Sequence, residues 1–62
     1  GNKALFDAIK DNFIFDQLIW EYGDDNNPDW VHVSYVTHRP LRNQILRAIK
    51  DNKGNTKYIT IK

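Results

Sequence analysis

The segment from Phe13 to Tyr22 limits what this chain can fold into more than any other. It is rich in aromatic and β-branched residues and reads as a strand. Under period-two alternation, Ile14, Leu18, Trp20 and Tyr22 share one face, interrupted by Asp16. Phe13, Phe15, Gln17, Ile19 and Glu21 share the other. Both faces are largely apolar, so the strand must lie centrally or in a sheet covered on both sides. The rest of a 62-residue chain has to supply those neighbours. A chain of this size buries only about 60% of its unfolded surface. It has no cysteine, so no disulfide supports the core and nothing indicates an oxidising compartment. Aromatic side chains must therefore supply much of the buried area.

Asn2 to Asn12 reads as a short amphipathic helix. Leu5, Phe6 and Ile9 recur at helical spacing beside Ala4 and Ala8, and Asn2 is the candidate N-cap. Gly23 to Pro28 is a loop by composition. Trp30 to Val36 is a second strand, with Trp30, His32, Ser34 and Val36 on one face and Val31, Val33 and Tyr35 on the other. The short loop favours an antiparallel pair with the first strand. Thr37 to Arg42 is a connection. Gln44 to Lys50 fits a helix or a strand; the turn Asp51 to Asn55, with Gly54, favours a strand hairpinned to Thr56–Ile61. The expected fold is α+β: one N-terminal helix packed on an antiparallel sheet of about four strands, in a single small domain spanning residues 1–62.

Nine Lys and Arg against eight Asp and Glu give a net charge near +1, which argues for neither a nucleic-acid partner nor an acidic substrate. No apolar run approaches the roughly 18 residues of a transmembrane helix. Arg39, Arg42, Arg47 and Lys50 read as a solvated strand edge whose charges discourage aggregation. Asp24, Asp25, Asn26 and Asn27 lack the spacing and terminal Glu of an EF-hand and read as a polar hairpin loop.

The chemistry concentrates in Pro28-Asp29-Trp30-Val31-His32-Val33-Ser34-Tyr35. An imidazole on a strand, three residues after a carboxylate, suits a metal site: neutral His is a common zinc ligand, and a carboxylate can take a proton from metal-bound water. From spacing alone, the plainer reading of His32 is a strand histidine on a half-buried face, and of Asp29 a loop-closing residue.

Three stretches together add to this: Phe15-Asp16-Gln17-Leu18-Ile19-Trp20-Glu21-Tyr22-Gly23, Asp29-Trp30-Val31-His32-Val33-Ser34-Tyr35 and Arg42-Asn43-Gln44-Ile45-Leu46-Arg47-Ala48. In that order and spacing the chain resembles the C-terminal half of the zinc D-Ala-D-Ala carboxypeptidase and phage endolysin family, which shares its fold with the Hedgehog signalling domain. The resemblance runs from about Leu5 to Tyr58. It implies that His32 is the last zinc ligand, that Asp29 is the general base, and that Trp30 and Ser34 line or support the pocket. It implies peptidoglycan stem peptides as substrates and a cell-envelope or phage-associated setting. The family's upstream motif, Ser-x-His-x-x-Gly-x-Ala-x-Asp, is not in this sequence, and the only other histidine is His38. The expectation is therefore the C-terminal part of a larger peptidase, inactive and without bound zinc as this chain alone. Gly1 is compatible with a tag-cleavage scar. The rival expectation is a non-catalytic module that self-associates as a homodimer or binds a partner, the missing N-terminal half included.

Overall fold

The computed structural model describes residues 1–62 as one helix and four strands: α1 (Asn2–Asn12), β1 (Gln17–Glu21), β2 (Trp30–Ser34), β3 (Gln44–Lys50) and β4 (Thr56–Thr60). The strands form one sheet in the order β2-β1-β3-β4. The α+β class and the central position of the doubly apolar strand are as the sequence indicates. The sheet, however, is mixed. β1 pairs antiparallel with β2, and β3 with β4, while β1 and β3 run parallel, with Gln17 opposite Gln44 and Glu21 opposite Ala48. The connection 35–43 explains the difference. It leaves the end of β2 and passes beneath the start of β1 to the start of β3, so β3 sets off in the direction of β1.

The core lies between α1 and the sheet. Phe6, Phe15, Leu18, Trp20 and Ile45 form it, with Ile9 and Val31 packed against them. The Phe6 and Trp20 rings meet edge to face, with centroids 5.1 Å apart. A second, smaller cluster of Ile19, Leu46 and Ala48, with Tyr22, lies on the opposite face. Alternation therefore holds through β1 and fails at both of its ends. Residues 13–16 precede the strand, which frees Phe15 to turn into the helix-side core and leaves Phe13 and Ile14 exposed. Tyr22 has left-handed backbone (φ 59°), and its ring joins the helix-free cluster. At the helix start, Gly1 rather than Asn2 occupies the N-cap. The Asn2 side-chain amide instead donates to the carbonyl oxygens of Pro28 (3.2 Å) and Asp29 (2.7 Å), tying α1 to the loop before β2.

Gly23 closes that loop. Its φ is +71°, and a Cβ there would run into the Asn27 carbonyl oxygen, Pro28 Cα (2.8 Å) and Asp29 N (2.9 Å). The Asp29 amide in turn donates to the Glu21 carbonyl at 3.0 Å, which sets where β2 begins. Gly23→Ala is expected to cost about 1–3 kcal/mol through left-handed strain and displaced backbone. Chemical denaturation measures the loss, and amide shifts concentrated in residues 27–32 locate it.

Candidate functional site

His32 stands on the helix-free face of the sheet. It pairs with Ile19 across β1, while its neighbour Val31 packs into the helix-side core. It borders an open concavity of about 470 Å³ whose other lining residues are Gln17, Ile19, Glu21, Leu46 and Tyr58. Alternation along all four strands brings these six together. Gln17, Ile19 and Glu21 share a face of β1, and the register sets His32 opposite Ile19 and Leu46 on its other side. Ile19 and Leu46 make an apolar floor, and the polar groups rise around it. Gln17 is engaged: its side chain donates to Gln44 Oε1 at 2.9 Å, and its backbone amide donates to Ser34 Oγ at 3.2 Å.

The four residues singled out from the sequence do not all meet in this concavity. Trp30 and Ser34 share the alternation of His32 but lie outside the lining. Trp30 is largely exposed, and the Ser34 hydroxyl is taken up in strand pairing. Asp29 precedes β2, and both of its backbone groups are held, by Glu21 and by Asn2. Its position in the alternation is that of Val31 and Val33 rather than that of His32. The carboxylate that lines the concavity with His32 is Glu21. Sequence reading passed over Glu21, although it lies on the Gln17–Ile19 face; the signal became visible only once β2 was registered against β1.

These residues do not complete a catalytic zinc site. Nowhere in the structure do three or more His, Cys, Asp or Glu side chains converge in a way that could hold a metal ion. A catalytic zinc takes three protein ligands, and the concavity offers one imidazole and one carboxylate. His38 lies in the connection 35–43, away from that wall. The acidic loop is an ordinary turn: Asp24 Oδ1 accepts from the amides of Asn26 and Asn27, at 2.9 and 3.0 Å. No protein-family model, no curated protein and no solved structure matches this chain.

The strongest electrostatic feature sits just before the start of β1, next to Gln17. Asp16 is only 2% exposed. Arg39 donates to its two carboxylate oxygens at 2.7 and 2.8 Å, and Arg42 donates to the same pair at 3.0 and 2.9 Å. The Arg42 amide adds a longer bond at 3.3 Å. Hydrogen bonds from Arg42, then Arg39, hold the Asp16 carboxyl far below the usual carboxylate range, and the same pairing raises Arg42. The basic stretch is thus not a solvated edge. Arg39 and Arg42 clamp Asp16, Arg47 lies over the Trp20 ring, and Lys50 lies over the Tyr22 ring. The sequence signal was Asp16 itself, a charge interrupting an otherwise apolar strand.

Proposed function

We propose that this chain is the C-terminal part of a zinc-dependent peptidoglycan peptidase of the D-Ala-D-Ala carboxypeptidase and endolysin type, with the remaining zinc ligands on an upstream half. The observation that carries this reading is the position of His32. It is a strand-borne imidazole on an open wall, beside the Glu21 carboxylate and above an apolar floor. Neutral imidazole on a rigid strand is a good metal ligand, and a three-ligand zinc would need its other donors from the upstream half. The three sequence stretches that resemble the family supply the rest. By that resemblance His32 is a zinc ligand and Asp29 the general base, with Trp30 and Ser34 supporting the pocket. The helix-free face, with its small cluster of Ile19, Leu46 and Ala48, is the surface the upstream half would cover.

The test has two arms. Calorimetric zinc titration of this chain alone is expected to give no stoichiometric binding, and a stem-peptide assay no turnover. The same chain extended by the upstream half is expected to bind one zinc and cleave the peptide, with both properties lost in His32→Ala. Stoichiometric zinc with turnover by the short chain would overturn the claim that it is incomplete. Undiminished zinc binding by the His32→Ala variant of the long form would overturn the role of His32. In the long form, loss of turnover in Asp29→Asn with zinc binding kept is expected. Loss in Glu21→Gln instead would move the base to the acid that lines the concavity.

A further inference from the structure

We infer that the free edge of β2 pairs with the same edge of a second copy of this chain, in a two-fold antiparallel register centred on His32. The inference goes beyond the peptidase reading and does not depend on it. The sheet order leaves β2 and β4 as edges, each presenting unpaired backbone N–H and C=O groups. The two edges differ in how they are protected. β4 carries Lys57 and is flanked by Lys53 and Lys62, so pairing β4 with its own copy would crowd six lysines into one seam. β2 has no such guard. Residues 30–37 contain no Lys, Arg, Asp, Glu or Pro, and Trp30, Val33 and Tyr35 expose large apolar surfaces. An uncharged, β-branched and aromatic edge strand is a ready template for another strand.

The sequence of β2 also fits itself. In an antiparallel pair, opposed side chains lie on the same face of the sheet. The register that uses all of β2 is centred on His32. It sets Trp30 against Ser34 of the partner subunit, Val31 against Val33 of the partner subunit, and His32 against His32 of the partner subunit. The two valine pairs extend the helix-side core that Val31 already joins. Trp30, 61% exposed in the single chain, gains a neighbour across the seam. The two Asp29 carboxylates fall at opposite ends of the seam, so no like charges meet. The product is one continuous sheet with both copies of α1 on the same side, closed by the commonest oligomer symmetry.

Sedimentation equilibrium over a concentration series tests association, and single-cysteine variants of a chain that otherwise has none test the register. A reversible dimer is expected. Val33→Lys should weaken it at least tenfold while far-UV circular dichroism is unchanged, because Val33 is already half exposed. Ile59→Lys, on the guarded edge, should leave it intact. Under mild oxidation His32→Cys should form a disulfide-linked dimer faster than Trp30→Cys or Ser34→Cys, because only position 32 meets its own copy directly. A chain that stays monomeric at millimolar concentration overturns the inference. So does a dimer broken by Ile59→Lys and not by Val33→Lys. Cross-linking at position 30 or 34 as fast as at 32 overturns the register.

Discussion

Asp16→Asn is expected to destabilise this chain more than any other polar substitution and to remove most of its sensitivity to acid. The carboxylate is buried, and its four side-chain bonds come from two arginines. Removing the charge leaves both guanidinium groups without their counter-ion and puts an amide NH2 donor against the arginine donors in a buried position. The part-exposed arginines recover some hydration; the new amide does not. The residue also stands at a backbone junction, which the substitution leaves in place but no longer braces with the clamp. The Asp16 amide donates to Ser34 O at 2.8 Å, and the Asp16 carbonyl accepts from Gln44 N at 3.0 Å. The residue thus joins the end of β2 to the start of β3 under β1. A fall in Tm of more than about 10 °C is expected at neutral pH.

The sign of the pH dependence follows from the depressed carboxyl. Unfolded, Asp16 titrates near 3.9; folded, its arginines hold it far lower. Protons therefore bind the unfolded chain first. The contribution is fully present above about pH 5 and is lost as pH falls through about 4 and below. Asp7, lowered chiefly by its bond to Lys3, adds a smaller effect of the same sign from an exposed position. Urea midpoints from pH 7 to pH 2 should fall steeply in the parent chain and more shallowly in Asp16→Asn. Equal slopes in the two proteins would show that the clamp is not what acid breaks. Arg42→Lys is expected to fall between them, since an ammonium cannot reproduce the two-pronged contact.

Leu18→Ala is the second large effect. Leu18 is fully buried, on β1 between Val33 and Ile45 and inside the helix-side core. Truncating a buried leucine costs about 2–5 kcal/mol, through lost transfer energy and the cavity left behind. A domain of this size has roughly 3–9 kcal/mol of stability in total. The variant is expected to be partly unfolded at 25 °C, with loss of near-ultraviolet signal from Trp20. Leu5→Ala, on an exposed residue of α1, is expected to stay within about 0.5 kcal/mol of the parent chain. A folded Leu18→Ala with an unchanged denaturation midpoint would mean that the core lies elsewhere.

Local patterns were enough for the helix, the four strand positions and the central place of β1. Periodicity and turn residues are properties of neighbouring positions, so Asn2–Asn12 could be read directly, and the turn with Gly54 tipped Gln44–Lys50, whose spacing fits helix or strand, towards a strand. The same holds for the orientation of His32 and Val31, which follows from alternation within one strand. The candidate site was legible only in part. His32 stood out through its neighbours in sequence, whereas Glu21, Leu46 and Tyr58 join it only after three strand pairings are set. Asp29 looked close to His32 because three residues is a short distance along the chain. The Gly23–Pro28 turn and the contact with Asn2 decide where its backbone lies.

By itself, then, the sequence determined the elements, the α+β class and the need to cover both faces of β1, because those follow from hydrophobic spacing within short windows. Tertiary structure alone decided the parallel pairing of β1 with β3. That choice depends on which end of β1 the 35–43 connection passes, and alternation is blind to strand direction. Tertiary structure also turned Asp16, Arg39 and Arg42 from scattered charges into one clamp around a buried carboxylate. The partners are more than twenty residues apart, and the crossing that brings them together is itself a product of the strand order.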